Sequence, residues 1–453
     1  MNDSDTLDKL STIQKINRQF EEPTKDSIGF PPQFSLEPMK KIIGFYLLVV
    51  CIATALYGCG GSIDKNAGTS PASSTPSLAP LALDNSIPVV VDKGPLGNAT
   101  NVPYVSVTIC QPDSTNCETI DHVLLDSRST GLRLFASALK DPSIYDTAKD
   151  PTGANVAECA GFGSGYTWGA IRKMDIKLGI ERARNATVHI INDAAVPNVP
   201  ASCSSQGVAV TRSVAQANGI LGITGSADCA DCASPATAPT GVYFSCAGTA
   251  CSGITQPIAE QIHNPVSVFD TDNNGILISL PQAQEGAATL TGKLVFGIGT
   301  RSNNQLGSAI VHPLDENSSV LAVVNGQPVY MGFDTGSTGV FYNGGGNLAE
   351  CDVPGLSDKY YCSASSATIQ LVNASGNAKS GAPFTMNFQD PNQYKATYPN
   401  SAVNLFLSGP PGGTNTPDPG VTLLGLPFFM GRPVFFALDG AQTPAGTGPY
   451  IAF

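Results

Sequence analysis

From about residue 86 to the last residue, the chain is a succession of short apolar or alternating runs: "YVSVTI", "HVLLD", "ATVHII", "GILISL", "KLVFGI", "VYMGFD" and "VFFALD". Alternation of period two places one face of a strand in a core, and unbroken β-branched runs mark strands covered on both faces. Clusters of Gly, Asn, Asp and Pro separate the runs at turn-like spacing, and apolar positions three and four apart are scarce. The pattern therefore predicts an all-β chain with few short helices.

Ahead of these strands the pattern changes twice. Lys40 and Lys41 precede an uncharged run from Ile42 to Gly58, and Cys59 follows it. A basic start followed by an apolar stretch is the layout of a secretory signal. The end of the run, "LYGC", resembles the bacterial lipobox, whose Cys is diacylated and becomes the mature N-terminus. That resemblance makes Cys59 a lipid anchor and places the protein in the bacterial cell envelope, on the outer membrane, facing the periplasm or the surface. The alternative is a single transmembrane anchor, because the run lies at the lower edge of spanning length. From Gly60 to about Asn85, Ser, Thr, Pro, Ala and Gly dominate, as in a flexible tether. Residues 1–38 are thus read as an upstream extension, an artefact of start-codon choice, 39–58 as a lipoprotein signal peptide and 59–86 as a lipid-anchored linker.

Composition narrows the function. Of 453 residues only 13% are charged, the net charge is −12, and 47 Gly and 34 Pro supply turns. Such a chain can bury the cores of two domains. Lacking a basic run after the signal, it does not suit a phosphate backbone, and nucleic acid is not expected as a partner. Of the twelve Cys, Cys51 leaves with the signal and Cys59 carries lipid, so the others form an even set, read as disulfides in an exported protein. Short loops pair Cys110 with Cys117 and Cys351 with Cys362. Cys159 is left for Cys203, and Cys229, Cys232, Cys246 and Cys251 form a knot. The "CADC" stretch has redox spacing but no βα context, so a structural bridge is expected there.

An internal repeat is the most informative feature. "DSRSTGL" from Asp126 aligns with "DTGSTGV" from Asp334, and an apolar strand precedes each. Downstream, at similar spacing, come "NGILGIT" with Gly222 and "VTLLGLP" with Gly425. Two lobes of similar plan, 87–301 and 302–453, account for the repeat.

A lone Asp-Thr-Gly-Ser reads as an ordinary turn after a strand. The four elements together resemble the bilobal pepsin-like aspartic proteases. "KLVFGIGT" near residue 296 is similar to the close of that family's first lobe, and "LLGLPFFMGRPVFFALDG" to its last strands. The resemblance implies two ψ-loop β-barrel lobes with a cleft between them. Each would present one Asp, with Asp126 and Asp334 as the catalytic dyad. Ile220–Gly222 and Leu423–Gly425 would thread the loops. Ser127 and Thr335 would tie the loops reciprocally, Ser129 and Ser337 would bond the carboxylates from outside, and Gly336 would let the backbone approach. A flap would fall at "FGSGYTWGA", Phe162–Ala170, with Tyr166 and Trp168 as lids, the alternative for Trp168 being a core position. No cofactor and no metal are expected. The chain also resembles bacterial lipoproteins known only as a domain of unknown function, which implies no substrate.

The chemistry fits those residue types. Two carboxyls that share a proton cannot both ionise easily, so one acts as acid and the other as base on a bound water. One residue departs from the pattern: Arg128 stands where the first lobe should have Gly. A guanidinium beside the dyad would hold both groups ionised and weaken the acid step.

Other motifs add little. "DTDNNG", Asp270–Gly275, starts like a calcium loop but has Pro281 at the twelfth position, so a hairpin turn is expected. His122, His189, His263 and His312 show no metal-ligand spacing, and no G-x-S-x-G elbow is present. Three functions therefore compete. The first is an endopeptidase acting on envelope or extracellular polypeptides bound extended in the cleft. The second is a catalytically silent relative that binds a peptide or partner protein there, and the third a structural surface lipoprotein. An Arg128 turned away from both carboxylates favours the first, and one bonded to them the second.

Overall fold

The computed structural model describes residues 84–453 except 235–240, 345–347, 357, 374–377 and 412–420. The segment read as a signal, Cys59 and most of the segment read as a linker lie outside the described residues. Strands dominate what is described, and the helices are short: Pro391–Thr397 is one of the longest, its first turn capped by the Asp390 carboxylate, which accepts from the Asn392 and Gln393 amides.

In the N-terminal half, Pro103–Cys110 and Cys117–Asp126 form an antiparallel hairpin. Asn155–Phe162, Gly165–Leu178 and Glu181–Ile191 follow as a meander. In the C-terminal half, Ser319–Val324 and Gln327–Phe333 make the corresponding hairpin, extended by Ser365–Leu371 and Phe384–Phe388. Each hairpin ends in one of the two aspartates, because the apolar run that builds its second strand stops there.

The halves share a sheet. Ser86–Val91 pairs with Leu290–Phe296, which pairs with Gly275–Ser279. Gly275–Ser279 in turn pairs with Pro433–Ala437, and the sheet continues through Tyr450–Ala452 to Val311–Pro313. A line drawn at residue 301 therefore cuts the chain but not the sheet. One apolar cluster runs from Ile87 through Leu125, Phe333 and Phe428 to Ile451. The Phe428 and Phe453 rings meet edge-on at 5.1 Å, and Phe333 and Phe428 at 5.3 Å. Each such ring contributes about 2–3 kcal/mol by leaving water.

Bridges join Cys110–Cys117, Cys159–Cys203 and Cys351–Cys362, as spacing suggested. The expected knot is instead two local loops, Cys229–Cys232 and Cys246–Cys251. The second closes a hairpin, because Cys246 and Cys251 stand directly opposite in the ladder. The Asp270–Gly275 segment is a turn leading into a strand rather than the tip of a hairpin, and Arg301 Nε donates to its Asp272 carboxylate at 2.6 Å.

Candidate active site

Two loops of the same construction meet at the centre of the molecule. In the first, Gly219–Ile223 runs parallel to Cys117–Asp126 and antiparallel to Thr130–Phe135, so it threads between the strands on either side of the Asp126 turn. Gly222 pairs with Asp126 on one side and Gly131 on the other. In the second, Val421–Leu424 runs parallel to Gln327–Phe333 and antiparallel to Val340–Phe341. The threading glycines are needed for space. A Cβ on Gly222 would lie 2.5 Å from the Ser129 carbonyl carbon, and one on Gly425 2.0 Å from the Gly339 oxygen.

The two turns bond each other reciprocally. The Ser127 amide donates to Thr335 Oγ1 at 3.1 Å, and the Thr335 amide donates to Ser127 Oγ at 3.0 Å. The hydroxyls complete the ring: Ser127 Oγ donates to the Phe333 carbonyl and Thr335 Oγ1 to the Leu125 carbonyl. All four bonds are buried, so losing either hydroxyl would strand an amide without a partner.

This tie sets the carboxylates. Ser129 Oγ donates to Asp126 Oδ2 at 2.6 Å, and Ser337 Oγ to Asp334 Oδ2 at 2.7 Å. On the inner side, the Arg128 amide donates to Asp126 Oδ1 at 2.9 Å and the Gly336 amide to Asp334 Oδ1 at 2.8 Å. Both Oδ1 atoms lie 3.2 Å from the point where Gly336 would carry a Cβ, so the two carboxylates face each other across that glycine. Burial, and next the Asp126 charge, push the Asp334 carboxyl up to about 7, against weaker opposition from Ser337, Arg128 and Gly336. Asp334 still opens partly onto the cleft.

Arg128 keeps the loop undistorted. Neither it nor Gly336 adopts a positive φ, so the position asks for room and not for a glycine backbone. The room comes from Gly332, where a Cβ would fall 2.4 Å from Arg128 Nη1. Across that gap the guanidinium reaches the opposite half, donating from Nη1 to the Ser318 carbonyl at 3.1 Å and from Nη2 to the Asn317 carbonyl at 3.3 Å. Asp315 fixes that turn by accepting from the Asn317 and Ser319 amides. No hydrogen bond joins the guanidinium to either aspartate; its influence on Asp334 is through space. Gly332, Asn317 and Ser318 were missed in the sequence. The one available signal was the glycine that interrupts "VYMGFD".

The cleft above the dyad has a volume of about 870 Å³. The hairpin tip Gly161–Gly165 covers it, and Phe162 is the aromatic side chain there. The expected lids do not reach it. Tyr166 and Trp168, two positions apart, point from the same face of the strand into a cluster with Cys159, Cys203 and Phe244, and Trp168 Nε1 donates to the Val196 carbonyl at 2.8 Å. Strand alternation thus makes Trp168 a core residue. Beneath the hairpin, Arg133 stacks under Phe162 at 5.6 Å and forms a two-bond ion pair with Glu158. Burial alone would raise the Glu158 carboxyl, but Arg133 and His189 bring it down to about 2. No group of three His, Cys, Asp or Glu stands placed to hold a metal among the described residues.

The family described as "Protein of unknown function (DUF3443)" matches residues 82–453. No curated protein is significantly similar in sequence. Among solved structures, the chain is similar to the crystal structure of aspartic proteinase from Irpex lacteus, with 14% identity, coverage of 81% of this chain and 96% of that chain, and a TM-score of 0.44.

Proposed function

The chain belongs to the DUF3443 family, and we propose that it is an acid-active aspartic endopeptidase of pepsin-like plan, cleaving extended polypeptides in the cleft between its halves. The reading is carried by one observation: Asp126 and Asp334 are held by matching hydroxyl and amide donors on two mutually bonded turns. A group pushed up to about 7 keeps its proton in acid, so Asp334 serves as the acid. Asp126 takes the proton of a water that attacks the peptide carbonyl, and Asp334 protonates the carbonyl oxygen. The hairpin tip from Gly161 to Gly165 lines the cleft along which an extended substrate would lie. Lipid attached at Cys59 would hold the enzyme on an envelope membrane through the linker.

The test is cleavage of a peptide library by the oxidised full chain between pH 3 and 8. Cleavage blocked by a statine-type inhibitor supports the reading. A folded protein that cleaves nothing but still binds the inhibitor supports the silent, peptide-binding relative.

Arg128 gives a finer prediction. Its charge favours ionised Asp334, so Arg128→Gln, which keeps amide donors and loses the charge, lets the Asp334 carboxyl rise further. Activity limited by loss of that proton should then persist to higher pH, by about half to one unit. A pH profile of kcat/KM that does not move, or moves down, would rule out this role for the guanidinium.

A further inference from the structure

Beyond the dyad, one acidic side chain in the cleft has no assigned task. Asp358 lines the cleft with Leu356, Phe341 and Tyr360. It is joined to the dyad turn through hydroxyls: Tyr360 hydrogen-bonds Asp358, and the Tyr360 and Thr338 hydroxyls lie 2.9 Å apart, one residue beyond Ser337. Burial pushes the Asp358 carboxyl up, with the Tyr360 bond acting against it.

A desolvated carboxylate normally has a cation beside it. Here none of the ion pairs among the described residues involves Asp358. Its neighbour Lys359 turns instead to Asp352 at 2.6 Å. Arg128, the one cation lining the cleft among the described residues, is held by the Asn317 and Ser318 carbonyls. No Lys or Arg occurs in the undescribed segments between residues 84 and 453. The missing countercharge is therefore not supplied from those segments.

Resting on the endopeptidase reading of the same cleft, we infer that Asp358 forms a subsite for a basic side chain, so that polypeptides carrying Lys or Arg close to the cleaved bond are preferred. The apolar walls, Leu356 and Phe341, suit the methylene stem of such a side chain, and the carboxylate takes its charged end. Tyr360 is a positioning residue, holding the carboxylate toward the cleft.

The experiment compares matched peptides that carry Lys, norleucine or Glu at each position around the cleaved bond, using the full chain and its Asp358→Asn and Asp358→Lys variants. At one position the native protein should prefer Lys over norleucine by about tenfold or more in kcat/KM. Asp358→Asn should erase that preference while still cleaving the norleucine peptide, and Asp358→Lys should turn it toward Glu. Equal cleavage of Lys and norleucine peptides at every position by the native protein overturns the inference and leaves the endopeptidase reading intact. Should no peptide be cleaved, calorimetry with non-cleavable reduced-amide peptides decides. A Lys preference in binding that Asp358→Asn removes supports the subsite without catalysis, and equal binding overturns it.

Discussion

Asp334→Asn is expected to abolish peptide cleavage, with kcat falling by about a thousandfold or more, and at the same time to make the fold more resistant to unfolding at alkaline pH. Both effects come from one environment. The Asp334 carboxyl stands at about 7 in the folded protein against 3.8 for the free group, mainly through burial and then the Asp126 charge. Well below pH 3.8 it is neutral in both states, so the native fold carries no burden there. Between pH 3.8 and about 7 the unfolded chain has ionised this group while the folded protein still holds its proton, and the penalty builds up until pH passes the folded value. The native protein therefore loses stability across that window, by on the order of 2–4 kcal/mol. An Asn at this position is neutral throughout and escapes the loss. Urea midpoints at pH 4 and pH 8 check this: the variant should gain on the native protein only at the higher pH. A constant difference at both values would mean that Asp334 is not raised, and undiminished cleavage would remove it from the chemistry.

Gly425→Ala is expected to cost about 3 kcal/mol or more, a large effect for one methyl group. The cause is contact and not backbone conformation, since Gly425 has φ −79°. Its Cβ would meet the Gly339 oxygen at 2.0 Å and the Ser337 oxygen at 2.5 Å, and both belong to backbone that cannot swing aside. Ser337 also donates to Asp334 Oδ2. Relief of the clash thus moves the group that orients the carboxylate, and kcat should drop by about a hundredfold in whatever protein remains folded. Thermal melting and single-turnover cleavage at a temperature well below the melt separate the two losses. A variant with native stability would show that the threading strand can shift without harm.

Much of this architecture is legible in the chain because it is written locally. Alternation in "YVSVTI" and "KLVFGI" gives strands, and the repeated Asp motif with its later apolar-apolar-Gly shows which segments the structure brings together. What escaped depends on meetings between distant residues. Arg128 could be seen to break the motif, but its path over Gly332 to the Asn317 and Ser318 carbonyls exists only once the halves approach. Tyr166 and Trp168 were read as flap lids, with a core position as the alternative for Trp168, and strand parity turns both into the cluster with Cys159, Cys203 and Phe244, where Trp168 meets the Val196 carbonyl. The four middle cysteines looked knotted because spacing ignores the hairpin that sets Cys246 against Cys251.

The sheet shared by the two halves also governs how the chain can be made. Asn85 bonds to Phe296, 211 positions later, and Gly275–Ser279 gains its outer neighbour only when Pro433–Ala437 arrives. Pairings of such long range close slowly. A chain cut short before residue 433 would leave Gly275–Ser279 as an open edge, a template for joining other copies. Forms truncated before residue 433 are therefore expected to associate through that edge where the full chain does not, which light scattering of the two would show.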